Sequence, residues 1–421
     1  MVAITVLPNP FSFLGNIRAG IYADSHLLEV TTVCGVICSL LLGFVTMGST
    51  GTAQTRLIIP GPANLPFSAA VRADGLIYVS GVLSAEGDIR AQTRKTIEGI
   101  RVTLERAGSS LANVASVHVY LTKAEDFAAM NEVYRTFWPK DPPVRTTIVS
   151  ELVVPGALVE MSMIAVPNGG ERVVIHPAGW IESPNPYSYG IRTGDTLFLA
   201  GLTSRNGEDN SIIDGDMTTQ TKAVLDNAGL ILKAAGMSFD NVVSSRVFIT
   251  DGAKFQEMNK AYAPYFPKNP PARATVIVPL TGPQYQVEIT LTASRLPKNA
   301  VTTPMPDGSP GKPSAILSSA INVGTRLYIS GMLGNTPETK GNAEAQTVEI
   351  MSRIGRTIKA AGFDWSHVVD GVACITDVKN FEAMNRGYRT VFHKDFPARA
   401  TVRTGLVNAD GLVEIMFVAS K

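Results

Sequence analysis

Three arginines, Arg145, Arg273 and Arg399, are each followed fifteen residues later by a glutamate: Glu160, Glu288 and Glu414. Fourteen residues before each arginine stands an asparagine, Asn131, Asn259 or Asn385. A guanidinium is a planar fork of donors that grips a carboxylate through two parallel hydrogen bonds, a geometry lysine cannot match. A glutamate held beside an electrophilic carbon can position a water and take its proton. Together these residue types suit the binding of a small carboxylate and hydrolysis next to it. The plainer alternative is an ion pair between arginine and glutamate across a hairpin. Recurrence of the pair while its neighbours vary favours a ligand role. The asparagines suit either backbone capping and helix packing or the lining of the same pocket.

Composition narrows the chemistry further. The 421 residues carry 37 basic and 36 acidic side chains, and 45% are hydrophobic against 17% charged. That balance describes ordinary globular domains and argues against disorder or a nucleic-acid-binding surface. Cys34, Cys38 and Cys374 are too few and too badly spaced for a disulfide framework or thiolate zinc site, and the five histidines form no cluster, so no built-in metal is expected. Glycine-rich phosphate loops and the GxSxG elbow are absent as well. Cys374 reads as a small buried strand residue, and His118 as surface chemistry.

The elements that must position the candidate residues are written three times. FAAMNEVYRTFWPKDPPVRTTIV from Phe127, FQEMNKAYAPYFPKNPPARATVIV from Phe255 and FEAMNRGYRTVFHKDFPARATVRT from Phe381 are versions of one another, with periods of 128 and 126 residues. Upstream in each copy an apolar strand ends in a small residue and a glycine, Gly81, Gly201 or Gly331. In the first copy Ser68 to Ala73 and Leu76 to Ser80 form a hairpin around Asp74-Gly75. Asp88 to Ala107 sets Ile89, Thr93, Ile97, Ile100 and Leu104 on one helical face, with Gly108 as its stop. Val114 to Leu121 alternates as a strand, and Phe127, Met130, Tyr134 and Phe137 stripe a second helix that Pro142-Pro143 ends. Strands from Thr146 to Val153 and from Leu158 to Val166 are predicted to pair across a turn at Pro155-Gly156. That pairing would set arginine and glutamate on neighbouring antiparallel strands. Each unit is then ββαβαββ, an α+β layer with helices on one sheet face. Residues 54–167, 171–296 and 313–421 make the three units, with 297–312 as a polar linker. Packing of their bare sheet faces around a pseudo-threefold axis would make the chain a monomeric pseudo-trimer.

Residues 1–53 stand apart. Val30 to Gly48 carries no charge and is followed by small residues up to Ala53, the pattern of a secretory signal peptide. A segment of about nineteen apolar residues also suffices for a membrane anchor. The expectation is export, periplasmic in a bacterium, or a membrane tether through residues 30–48; the alternative is a cytoplasmic protein.

The strand-Ser-Gly element, the aromatic-x-x-Met-Asn-x-x-Tyr helix, Pro-x-Arg-x-Thr and Val-Glu-Ile resemble the Rid family of reactive intermediate/imine deaminases, over nearly all of the chain after Gln54. Members are single units that form homotrimers with sites between subunits. The resemblance implies a Rid-like, chorismate-mutase-like fold and cofactor-free hydrolysis of 2-imino acids or their enamine tautomers to 2-oxo acids and ammonia. Arg145, Arg273 and Arg399 match the family's carboxylate-binding arginine, Glu160, Glu288 and Glu414 its water-positioning glutamate, and Asn131, Asn259 and Asn385 its pocket asparagine. Backbone groups following Gly81, Gly201 and Gly331 would serve the imine nitrogen. The family's pocket tyrosine falls on Phe67, Tyr187 and Leu317, so unit two alone keeps the hydroxyl. Arg273 and Glu288, of that unit, are therefore expected to matter most. The competing function is a non-catalytic module binding a carboxylate metabolite. Ribonuclease activity, also attached to the family, finds no basic runs to support it.

Overall fold

The computed structural model describes residues 56–421, so the signal peptide or anchor expected in residues 1–53 and its apolar stretch 30–48 lie outside the described residues. Local signals behave as their chemistry dictates. Asp74 and Gly75 both take positive φ, 44° and 73°, in the turn joining Ala70–Ala73 to Leu76–Leu83. Asp88 then accepts the Ala91 N–H at 2.9 Å and caps helix Ile89–Arg106, which buries Ile97, Ile100 and Leu104. Asp216 and Asn342 cap Met217–Ala234 and Ala343–Ala360 in the same manner. The second helices, Phe127–Phe137, Phe255–Tyr262 and Phe381–Tyr388, bury a methionine, the repeat asparagine and a tyrosine each.

The three units are α+β with the expected ββαβαββ order, each helix pair lying against its own sheet. In unit one the strands run Leu57–Ile59, Ala70–Ala73, Leu76–Leu83, Val159–Ala165, Val114–Leu121, Val144–Val149 across the sheet. One strand pairing differs from the expected hairpin. Val144–Val149 pairs in parallel with Val114–Leu121, and Val159–Ala165 lies on the other side of that strand. The reason is the intervening helix Phe127–Phe137, which returns the chain to the same end of the sheet and so makes the two strands it joins parallel neighbours. Arginine and glutamate of one unit are thus separated by a whole strand. Within the stretch read as linker, Lys298–Val301 adds a strand beside Ala320–Val323.

The arginine strands are sheet edges, and another copy covers each. Val149 N–H donates to Pro279 O of unit two at 3.1 Å, Gly405–Leu406 of unit three pairs with Ala272–Ile277, and Glu151–Leu152 of unit one pairs with Ala398–Arg403. Unpaired edges are thereby closed in cyclic order. Ser188, Ser318 and Ser68 repeat the pattern at the opposite rim, donating through Oγ to Pro142, Pro270 and Phe396 carbonyls of the preceding copy at 2.5–2.6 Å. Inner sheet faces from all three units share one apolar cluster that includes Tyr120, Phe248 and Cys374. Cys374 is buried, and burial pushes its thiol up to about 12. His118 lines a small interior cavity with Arg246 and Asp370, and burial holds its imidazole well below the usual value, which corrects its reading as surface chemistry. Among the described residues no helix is long and apolar enough to cross a membrane.

Arg326 links residues of all three units. Its Nη1 donates to Thr196 Oγ1 at 2.7 Å, its Nη2 to the Asp74 carbonyl, and its Nε lies 2.9 Å from Asp74 Oδ2. Arg326→Ala is expected to lower global stability by about 1–3 kcal/mol, the Asp74 carboxylate being part-exposed. The check is a lower urea midpoint with an unchanged slope.

Candidate functional site

Arg145, Arg273 and Arg399 occupy the second position of their edge strands and are only 2–3% exposed. Glu160, Glu288 and Glu414 occupy the second position of Val159–Ala165, Val287–Ser294 and Val413–Ser420 and are buried too. Because a strand separates the pair within each unit, the glutamate facing an arginine comes from another copy. Arg145 acts on Glu288, Arg273 on Glu414, and Arg399 on Glu160. The backbone N–H two residues beyond each arginine donates to the same carboxylate, as Thr147 does to Glu288 Oε1 at 3.3 Å; Thr275 and Thr401 do so for Glu414 and Glu160.

The structure explains why Gly81, Gly201 and Gly331 must be glycine; Gly81 and Gly331 lie within Leu76–Leu83 and Arg326–Leu333, which run two residues past them, and Gly201 follows Thr196–Leu199. A Cβ at any of them would strike Oε1 of Glu160, Glu288 or Glu414. The Gly201 N–H donates to the Arg145 carbonyl at 3.1 Å. At the two junctions with a serine before the glycine, Ser330 Oγ accepts the Arg273 N–H and Ser80 Oγ the Arg399 N–H, both at 2.8 Å.

Each guanidinium lies on a tyrosine face, with Cζ at 4.8 Å from Tyr134, 4.9 Å from Tyr262 and 4.8 Å from Tyr388. Asn259 and Asn385 accept from Arg273 and Arg399 Nη2 at 2.8 Å, so in two clefts the asparagine orients the arginine. Asn131 instead donates to Asn185 Oδ1 of unit two at 3.2 Å. Arg145 Nη1, Arg273 Nε and Nη1, and Arg399 Nε are buried without a hydrogen-bond partner. Buried donors in that condition are costly and call for an acceptor. Burial lowers all three arginines, Arg399 to about 10. Burial raises Glu160, Glu288 and Glu414 to about 8, opposed in each case by the facing arginine and a backbone N–H.

A cavity of about 270 Å³ opens where units one and two meet, lined among others by Arg145, Tyr187, Gly201, Arg205, Tyr285 and Glu288. Tyr187 therefore belongs with Arg145, its ring 5.9 Å from Cζ, and not with Arg273 as its place in the chain suggested. The parallel strand order is again the cause. In the corresponding place above Arg399 stands Phe67, 5.6 Å from Cζ.

Sequence reasoning missed three glutamines. Gln92, Gln220 and Gln346 are buried in the first long helices and accept the N–H of Leu158, Gln286 and Leu412 at 2.7–2.8 Å, two residues ahead of each glutamate. Their signal was available, since each is followed by threonine and precedes the repeat asparagine by 39 residues.

The family described as endoribonuclease L-PSP matches residues 60–167, 180–295 and 309–421. A RutC family protein of Sulfurisphaera tokodaii is 40% identical over 116 residues, covering 28% of this chain and 81% of that protein. Among solved structures, the Rid family protein YyfA of Yersinia pestis is 30% identical, covering 30% of this chain and 99% of its own, with a TM-score of 0.28. RidA of Psychrobacter sp. PAMC 21119 is 27% identical, covering 29% of this chain and 99% of its own, with a TM-score of 0.28.

The buried glutamates give stability a pH signature. Raised from 4.5 to about 8, they stay protonated in the folded chain between those values while the unfolded chain has lost the protons. Stability is therefore expected to fall as pH rises through that window, with the full penalty above pH 8. At about 1.4 kcal/mol per unit, Glu160→Gln should gain a few kcal/mol at pH 8.5 and little at pH 4.5. Thermal unfolding of both proteins at the two pH values checks it.

Proposed function

The chain belongs to the endoribonuclease L-PSP (Rid) family in three tandem copies, and from that premise we propose that it hydrolyses 2-imino acids or their enamine tautomers to 2-oxo acids and ammonia, in the cleft between units one and two. The observation that carries this reading is a buried guanidinium with an unpartnered Nη1, in a cavity that also holds a buried glutamate and a tyrosine.

Arg145 holds the substrate carboxylate, which supplies the acceptor its buried Nη1 lacks. With its pKa raised to about 8, Glu288 starts protonated at neutral pH. It gives its proton to the imine nitrogen, then as carboxylate takes one from the attacking water while the C–O bond forms. The carbinolamine collapses by the same shuttle: Glu288 protonates the amine, the C–N bond breaks, and the new carbonyl returns its proton to Glu288. One water is consumed, ammonia leaves, and the glutamate ends as it began. Binding of an anion to Arg145 screens the charge that favours the Glu288 carboxylate, so the protonated start is reinforced. No cofactor enters this sequence. In the other two clefts Phe67 and Leu317 replace the tyrosine, which supports a binding or structural part for them. The near balance of 37 basic and 36 acidic residues gives an RNA backbone little to bind.

An amino-acid oxidase generating imines in the presence of semicarbazide tests the reading by diversion to 2-oxo acid. Arg145→Ala or Glu288→Gln is expected to lower diversion about 100-fold, and Arg273→Ala or Arg399→Ala less than about threefold. Equal losses at all three arginines would refute the single working cleft. The wild-type rate should decline as pH rises above about 8, when Glu288 loses its proton. A rate that climbs through that range instead would exclude a protonated Glu288.

A further inference from the structure

The cavity between units one and two holds a second arginine. Arg205 stands four residues beyond Gly201, where units one and three have Ala85 and Asn335. Its segment is the longest of the three: the helix starts sixteen positions after Gly201, at Met217, against eight from Gly81 to Ile89 and twelve from Gly331 to Ala343. The added length is ordered. Arg205 bridges to Ile212, Asn206 N–H donates to Ser211 O at 2.9 Å, Ile213 N–H to Ser204 O at 2.9 Å, and Asn227 Nδ2 to the Arg205 carbonyl at 2.5 Å. Trp180 packs so closely on Gly207 that a Cβ there would strike the indole.

This framework fixes the Arg205 guanidinium in the cleft. Nη1 donates to Asn210 O at 2.9 Å, and Cζ lies 5.3 Å from the Tyr285 ring. The acid among the cavity-lining residues is Glu288, so two guanidiniums share one carboxyl group. Tyr285 is 4% exposed and its hydroxyl has no hydrogen-bond partner. At its place in the repeat the other units carry Ala157 and Gly411; the neighbouring wall residue Thr203 corresponds to Leu83 and Leu333. The far wall of this cleft is cationic where the corresponding positions of the other two, Ala85 and Asn335, carry no charge.

Resting on the deaminase reading of the same site, we infer that this cleft selects a short 2-imino dicarboxylic acid, Arg145 holding the carboxylate beside the imine and Arg205 the side-chain carboxylate. A monoanion on Arg145 would leave the half-buried Arg205 guanidinium without a carboxylate partner, and that difference is the source of selectivity.

Calorimetry on the full chain with 2-oxoglutarate and 2-oxobutanoate, dianionic and monoanionic product forms, tests the inference without depending on turnover. The expected result is one 2-oxoglutarate per chain, bound about tenfold or more tighter than 2-oxobutanoate. Arg205→Gln should erase the preference by weakening 2-oxoglutarate far more than 2-oxobutanoate, Arg205→Lys should keep part of it, and Arg145→Gln should weaken both ligands. Equal wild-type affinities, or a preference that survives Arg205→Gln in a protein with unaltered thermal unfolding, would overturn it. Parallel diversion assays with the imines of glutamate and norvaline separate the two readings. A retained dicarboxylate preference with neither imine diverted would sink deamination alone. Equal diversion of both imines would sink the dicarboxylate inference alone.

Discussion

The free edge of the arginine strand is the constraint on which the rest of this molecule depends. A helix between two strands forces them parallel and leaves the second at the border of the sheet with an unpaired row of backbone groups. Another copy covers that border, and in doing so brings its glycine and glutamate against the buried arginine. Closing the edge and assembling the site are one event. No unit holds a facing pair by itself.

Burial then sets the chemistry. The arginines and glutamates are withdrawn from water yet the guanidiniums keep unpartnered donors, a combination that a structural ion pair would not leave. Tyrosine faces and asparagine oxygens hold the guanidiniums in place without neutralising them. The glycines do the same service for the glutamates by leaving room that any side chain would take.

Much of this was legible in the sequence because repetition exposes spacing. The asparagine, arginine, glutamate and glycine positions, the unit order and the burial of Cys374 all followed from pattern. What failed was adjacency across strands. A Pro-Gly turn between Val149 and Val159 looks like a hairpin along the chain, and the register that opposes it is set by a helix many residues earlier. Tyr187 reads as a partner of Arg273 for the same reason, since a one-dimensional string does not say which copy lies beside which edge. The burial of the glutamines at 92, 220 and 346 is not legible in the sequence because a polar residue on a helix reads as solvent-facing until its partner carbonyl is seen.

Each unit contributes to two junctions, its arginine to one and its glutamate to another. In a ring of identical subunits a single codon change is written into every site at once, and selection sees all of them fail together. Here a change at Arg273 or Leu317 touches one junction and spares the cavity that holds Tyr187. Tethering three copies therefore converts symmetry into redundancy: one junction can be kept under constraint while the others drift, with the sheet edges they close still holding the fold.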